Sequence, residues 1–447
     1  MTTPPTEQVQ HVREALEYVR ANGLKVSLAG VRHSMGGQAF HHNALVLDMT
    51  GFRQMSIDAV AKTLTVQSGA TWHDIQNYLH PRLAVKAMQS TDIFTVGGSI
   101  SVNAHGMDHR AGAVANTIRW LRVMLPDGSI RRVSRPEEAE LFELVVGGYG
   151  LFGVILDAEI DVVDNVLYHS ERREISYREF ERVFREELLP DESVGLMYGH
   201  LSTAPESFLE EMILYLYRDA GVPLPELPPL GEVSQIKLRR FVFNLSKLGG
   251  PAMSAKWFAE KYIEPRLEGC TVTRSEGLTE GGACYVSRNE PMHDSVPYLR
   301  NSLAGETDIL QEYFVPRSQF VKFVDAAREV LSAQRAKVLN ASMRVVHREA
   351  VALNYAPADM FALVLYLNQR TDAAGTQAMR RLSETLIDVT TSLGGTFFLP
   401  YQLHYTPQQL ERSYPAVPAV FRAKRRYDPE LLLTNTWYEA YANFWPT

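Results

Sequence analysis

Hydrophobic positions in the first third of the chain alternate between two periods. Between Thr6 and Gly23, Val9, Val12, Leu16 and Val19 follow at spacings of three, four and three, the signature of a helix with one apolar face. Thr6 supplies an oxygen to cap its start, and Gly23 suits the left-handed residue that ends it. Val26 and Leu28 then alternate with polar neighbours, 45–49 is a short apolar run, and Leu64 and Val66 alternate again. Gly, Asn or Asp bounds each stretch, which predicts strands. Trp72, Ile75 and Leu79 return to helical spacing over 71–79, and 118–133 folds back at Pro126-Asp127-Gly128 between two apolar strands. A further helix is expected over 137–144, with the glycines of this third concentrated in loops.

Beyond about residue 165 the pattern changes. The stretches YREFERVFREELLP and APESFLEEMILYLYRD predict aromatic-rich helices and strands, and GVPLPELPPLGE a surface excursion. Strands over 313–316, 343–347 and 361–367 are expected to alternate with helices over 318–333 and 376–393. There is no internal repeat. Asp428-Pro429 stops a helix, because proline disfavours helical geometry in the residue before it. The basic cluster ahead of it, Arg422 to Arg426, reads as a solvated helix face.

A chain of 447 residues exceeds the ~250–300 that one core serves, so two packed units are expected. The net charge of −7 comes without a long run of Lys and Arg, which excludes the electrostatic footprint of nucleic-acid or anionic-membrane binding and leaves a small molecule as partner. Cys270 and Cys284 form no CxxC pair and are expected as reduced thiols. No signal-peptide core or run of about 18 apolar residues occurs, so a cytoplasmic location is expected. No metal site is expected either: His41-His42 has no third ligand at a recognisable spacing. Nothing in the pattern specifies an oligomeric state.

Three glycine clusters carry the chemistry. The first, Leu28-Ala29-Gly30-Val31-Arg32-His33-Ser34-Met35-Gly36-Gly37-Gln38, directly follows a strand. Its glycines permit amide groups to turn inward on a diphosphate, with Arg32 and Ser34 as further donors; a Gly-rich hairpin loop with an exposed His is the alternative. The second is Thr95-Val96-Gly97-Gly98-Ser99-Ile100-Ser101-Val102-Asn103-Ala104-His105-Gly106, an apolar entry followed by polar groups able to reach a heterocycle. The third, Gly147-Gly148-Tyr149-Gly150-Leu151-Phe152-Gly153-Val154-Ile155, enters a strand and is not the GxGxxG of a Rossmann site.

In this order the clusters resemble the FAD-binding domain of the vanillyl-alcohol oxidase and p-cresol methylhydroxylase flavoprotein family, over about residues 1–165. The resemblance implies an α+β fold: an FAD-binding domain over 1–165 built of two α/β subdomains, a substrate domain of antiparallel sheet and helices over 166–400, and a segment over 401–447 that returns to the FAD domain through Asn435. It implies FAD bound by residues 30–38, Gly97, Gly98, Ser99, Ile100, Asn103, His105, Gly106, Gly153, Ile155 and Asn435, with the flavin 8α-methyl attached to His33. No cysteine falls between 95 and 106, so a single bond is expected. The segment from His105 to His109 is similar to that of decaprenylphosphoryl-ribose oxidase, whereas Arg32-His33-Ser34 is closer to sugar-lactone and alditol oxidases. The substrate strand of those oxidases, Ser-Glu-x-Arg, is here Ala341-Ser342-Met343-Arg344, retaining the arginine and losing the acid. Their C-terminal His-Trp-Gly-Lys is replaced by the stretch containing Tyr401 and His404.

The function so implied is oxidation of a CH–OH group of a small polar, sugar-like substrate by hydride transfer to the flavin, with oxygen or another acceptor reoxidising it. Arg344 would hold the substrate; Tyr401 and His404 either handle the hydroxyl proton or only hydrogen-bond across an interface. The alternatives are a dehydrogenase or epimerase half-reaction on a lipid-linked or nucleotide sugar, and a flavin-free binding module. Phe361, Tyr366, Phe397 and Phe398 are expected in the core.

Overall fold

The apolar stripe of Val9, Val12, Leu16 and Val19 is the buried face of helix α1 (Pro5–Ala21), packed with Val26, Met124, Val154, Leu156 and Leu433. Each such aliphatic side chain contributes about 1.5–3 kcal/mol on burial. The computed structural model describes residues 5–233, 236–263, 271–272, 275–276, 278–280, 283–301 and 303–445; Cys270 lies outside these. Strands β1 (Lys25–Ala29) and β2 (Ala44–Asp48) form a parallel pair. The chain's last segment runs beside it, Val26 N–H donating to Leu432 O and Thr434 N–H to Val26 O.

A six-stranded sheet follows, built of β3 (Met55–Asp58), β4 (Thr63–Gln67), β5 (Leu83–Val85), β6 (Ile118–Met124), β7 (Ile130–Val133) and β8 (Val154–Asp164). Its order is β3-β4-β8-β6-β7, with β5 pairing β8 and all neighbours antiparallel. The β6–β7 turn falls on Pro126-Asp127-Gly128, where Gly128 takes φ +83°. Helix α2 (Trp72–Leu79) begins with a reciprocal cap between Thr71 and Asp74. Gly97 and Gly98 depart from expectation. They lie inside a helix, α3 (Val96–Val102), and not in a loop. The reason is close packing: Gly97 N–H donates to Ser68 O, and a Cβ on Gly97 would stand 2.6 Å from that of Ser68. Helix α4 (Ala139–Val145) closes this part.

The second large sheet is antiparallel with nine strands. It comprises β9 (Leu167–Ser176), β10 (Val194–Leu201), β11 (Glu211–Asp219), β14 (Leu278–Glu280), β15 (Ala283–Ser287), β16 (Glu306–Pro316), β17 (Lys337–Val346), β18 (Met360–Arg370) and β19 (Thr396–Phe397). A two-residue ladder, β12 (Thr271–Val272) and β13 (Ser275–Glu276), stands apart. The order is β14-β15-β9-β11-β10-β17-β18-β16-β19, backed by the helices Phe320–Ala333 and Ala373–Ser392. Strand β16 starts seven residues earlier than its apolar run suggests, because Asp308, Gln311 and Glu312 interrupt the pattern yet lie within the strand. The 221–233 excursion carries no regular structure. No helix among the described residues is long and apolar enough to cross a membrane.

The basic cluster is not uniformly solvated. Lys424 in the helix Val417–Tyr427 is fully buried, paired with the equally buried Asp428 and donating to Leu151 O at 2.8 Å. Asp428 in turn accepts from the amides of Leu432 and Leu433, so this pair turns the chain back toward β1. Removing one partner leaves a buried charge uncompensated. Asp428→Asn is expected to cost about 3–5 kcal/mol in urea unfolding, and adding Lys424→Met to recover more than half of that loss.

Candidate functional site

Between the two large sheets lies a cavity of about 750 Å³, within the range of about 300–1,000 Å³ usual for cofactor and small-molecule sites. The β1–β2 connection forms one wall. Its conformation is set by Arg32, at φ +61°, which turns successive amides to one side as an anion-binding nest. The backbone amides of Val31, Arg32, His33 and Ser34 donate to no acceptor among the described residues. Gly30 serves a different purpose: a Cβ there would meet Thr95 Oγ1 at 2.2 Å, so glycine is needed to bring the loop against the α3 cap. Gly36 and Gly37 hold the C-terminal stretches, since a Cβ would strike Tyr401 O at 2.5 Å and Thr436 Cβ at 2.5 Å respectively. Met35 N–H and Gln38 Nε2 tie the loop to Pro400 O and Leu399 O.

Gly30, Val31, Arg32, His33, Ser34, Met35, Gln38, Gly97, Gly98, His105, Gly153, Ile155, Arg344 and Tyr401 all line this one cavity. The Arg32 guanidinium is turned to Asp48, 2.9 Å away and exposed. The His33 ring faces the open cavity on one side and meets Phe94 edge-on at 5.3 Å on the other; this burial lowers its pKa and favours the neutral imidazole.

The remaining expected contacts stand behind the wall. Ser99 accepts from Trp72 Nε1 at 2.8 Å, Ile100 is in the core, and Gly106 lets the chain pass Met88 O. Asn435 caps the helix Thr436–Tyr441 and donates to Tyr149 O. Asn103 ends α3 at φ +49°; its side chain accepts from Ala115 N–H and donates to Glu349, while its carbonyl accepts from Tyr355 Oη. Burial of Glu349 raises its pKa to about 8.

The sheet supplies the other wall. Register places Glu312 opposite Val364 and Leu310 opposite Tyr366 on the β16–β18 ladder, and Arg344 opposite Ala362 on β17–β18. Directly opposed residues share a face, and alternate residues along a strand share it too, so Glu312, Leu310, Val364, Tyr366 and Arg344 project together into the cavity. Tyr366 and Phe398, expected in the core, line it as well; Phe361 and Phe397 are in the core. Glu312 Oε1 lies 2.8 Å from His105 Nε2, with both side chains almost completely buried, and Tyr401 Oη donates to Glu312 Oε2 at 3.3 Å. Burial and the adjacent carboxylate push the Tyr401 phenol well above its ordinary range. Arg344 donates to Ser90 Oγ and lies over the Tyr198 ring, with no ion pair among the described residues.

His404 is buried away from this cavity, and burial lowers its pKa to about 4. Tyr401 therefore has Glu312 as its partner in the cavity in place of His404. Glu312 escaped the sequence reading. Its signal was a charged residue directly before the apolar run Tyr313 to Val315, at a position that charged groups seldom occupy fully buried unless paired.

The sequence profile of the FAD binding domain family matches residues 6–134. Those residues carry the FAD binding domain, and there the chain resembles the vanillyl-alcohol oxidase and p-cresol methylhydroxylase flavoproteins. An uncharacterized oxidoreductase of the fasciation locus of Rhodococcoides fascians is 34% identical over 155 residues, which is 34% of this chain and 35% of that one. Decaprenylphosphoryl-beta-D-ribose oxidase of Mycolicibacterium smegmatis is 31% identical over 165 residues, 36% of this chain and 35% of that one. The matches thus span about a third of the length of these curated relatives. The crystal structure of 6-hydroxy-D-nicotine oxidase from Arthrobacter nicotinovorans superposes with a TM-score of 0.60 at 16% identity, covering 94% of this chain and 88% of that one, so the two share a fold over nearly the whole of this chain.

The residues present fit FAD: unsatisfied amides beside Arg32 suit a diphosphate, and they line one cavity with Gly97, Gly98 and His105. Two outcomes follow. Gly30→Ala, by separating the loop from Thr95, is expected to lower the flavin-to-protein absorbance ratio of purified protein at least several-fold. For Glu349, a raised carboxyl pKa means that the folded state keeps a proton the unfolded state releases, so its contribution is present below about pH 4.5 and is lost as pH rises toward 8. Glu349→Gln, always neutral, is expected to gain at least about 1.4 kcal/mol over wild type between pH 5 and pH 8 in denaturant titrations.

Proposed function

We propose that the chain is an FAD-dependent oxidoreductase that oxidises a CH–OH group of a small polar, sugar-like substrate, with its flavin attached through His33. The observation that carries this reading is the buried cluster of His105, Glu312 and Tyr401, which opens onto the same cavity as the His33 loop. When bound, FAD supplies the hydride acceptor, and oxygen or another acceptor restores it. The chain's own task is then the hydroxyl proton. Glu312, with one oxygen beside His105 and the other accepting from Tyr401, is the group positioned to take it, directly or through the Tyr401 hydroxyl. His105, with Nε2 2.8 Å from the first of those oxygens, holds the carboxylate in place. Arg344 presents a planar fork of donors with no carboxylate at ion-pair distance among the described residues, and it anchors a polar or anionic part of the substrate. A neutral His33 imidazole retains the lone pair that bonding to a flavin carbon requires.

A second reading, a dehydrogenase or epimerase half-reaction on a lipid-linked or nucleotide sugar, draws on Arg240 and Arg300, which line the cavity beside Val296 and Leu299. That combination suits a phosphate joined to an apolar tail. Turnover that requires the phosphate group would favour it over the simpler substrate.

Wild-type protein precipitated by acid is expected to keep its yellow colour and a mass increment of about one FAD on the His33 peptide, and His33→Ala to release both. Glu312→Gln is expected to retain flavin while kcat falls by about 10²- to 10⁴-fold; turnover at the wild-type rate would sink the proton assignment. Arg344→Lys should raise KM more than it lowers kcat.

A further inference from the structure

Outside the cavity, side chains from three separate stretches converge. His73 comes from the first turn of α2, His293 from the short turn after Glu290–Met292, and Glu232 from the end of the proline-rich excursion. We propose that His73, His293 and Glu232 bind a divalent cation of the zinc class, with Asp92 orienting both imidazoles from behind. The spacing in sequence, with 73 and 293 far apart, gave no sign of it, and no metal was expected.

The geometry sets the protonation pattern. Asp92 Oδ2 lies 2.9 Å from His73 Nδ1 and 3.2 Å from His293 Nδ1, and Gln76 Oε1 lies 3.0 Å from His293 Nδ1. A carboxylate only accepts, so each imidazole is held with its proton on Nδ1 and its lone pair on Nε2. The rings are stacked, with centroids 4.6 Å apart and planes 20° off parallel. Glu232 Oε1 stands 3.3 Å from His73 Nε2. One nitrogen from each ring and one carboxylate oxygen thus fall within 4.8 Å of one another. That spacing suits a cation accepting bonds of about 2.0–2.2 Å from two nitrogens and an oxygen, with a fourth position for water. The carboxylate behind the imidazoles is the outer partner such sites use to fix ring orientation, and Asp92 is itself almost completely buried.

The location gives the cation a mechanical role. His73 N–H donates to Asp92 O and Asp92 N–H to Asp294 O, while the flanking residues Thr91, Ile93 and Ser295 line the flavin cavity. A cation here would clamp the 221–233 excursion onto the segments that form that wall.

The test uses untagged, chelator-treated full-length protein, titrated with Zn²⁺ in a calorimeter and followed by thermal unfolding. One equivalent is expected to bind and raise the melting temperature, since a ligand specific to the folded state stabilises it. Glu232→Ala, an exposed position that does not threaten folding, should weaken binding at least tenfold, and His73→Ala at least a hundredfold. The double variant His41→Ala/His42→Ala should bind as wild type does. Absence of stoichiometric binding, or binding that survives both Glu232→Ala and His73→Ala, would overturn the proposal and leave the cluster closed by a proton shared between His73 and Glu232. Because the readout is binding and unfolding, either result stands apart from the flavin chemistry.

Discussion

A buried imidazole and a buried carboxylate meet 2.8 Å apart where the two halves of the molecule face each other, His105 from the end of the α3 segment and Glu312 from the nine-stranded sheet. Neither group tolerates burial alone, because an isolated ion in a dry interior costs several kcal/mol. Their meeting thus fixes how the sheet's cavity face is registered against the glycine-rich wall. The same device recurs along the contact. Glu349 takes a hydrogen bond from Asn103, Arg344 donates to Ser90, and Arg288 reaches Asp108 at 2.6 Å and Tyr168 at 2.7 Å. Apolar surfaces alone would permit sliding by a residue or two, whereas each of these pairs is satisfied in one register only. The cavity between the walls inherits its shape from that constraint.

The two walls obey different rules. The loop wall is made by backbone: a left-handed Arg32, amides turned inward, and glycines that let chain touch chain at Thr95, Ser68 and Met88. Such a surface depends on conformation more than on side-chain identity, and a single Cβ disrupts it. The sheet wall is made by side chains at alternate positions of β16, β17 and β18, where any residue can be exchanged without disturbing the ladder. The family match covers residues 6–134 and the curated relatives named above match over 155 and 165 residues, while the fold likeness covers 94% of the chain, which accords with this division.

What the sequence disclosed tracks the range over which its signals act. Helix α1, helix α2 and the turn at Gly128 are encoded within a few residues, and all three are where periodicity and turn chemistry put them, although α1 begins at Pro5, so that Thr6 lies within it and does not cap it. The glycine clusters were visible as clusters, but the work of each glycine was not. Gly97 and Gly98 serve helix packing, and Gly36 and Gly37 anchor a C-terminal stretch some 400 residues away in the chain. Lys424 reads as one of a run of exposed basic residues until Asp428, one helical turn on, is seen to be buried with it. Glu312 and the His73–His293 pair belong to a third class. Their partners come from distant strands and turns, and no local pattern carries that information.

The acid that the family resemblance expects two residues before Arg344 is absent from β17, where Ser342 stands. An acid nonetheless reaches the cavity. Ser342 and Glu312 are both paired with Val364, one on each side of β18, so the three lie in one row across the sheet and point to the same face. Moving a carboxylate along such a row shifts its position by about two strand spacings, near 10 Å, without altering its orientation to the face. It does alter its neighbours. On β16 the acid has His105 and Tyr401 within reach, whereas on β17 it would sit beside Arg344, which would hold it as a fixed anion. In its observed place the carboxylate lies between an imidazole and a phenol, and Arg344 has no carboxylate at ion-pair distance among the described residues. One row of the sheet thus sets the acid and the arginine in different surroundings, where a Glu–Arg pair on β17 would have neutralised both.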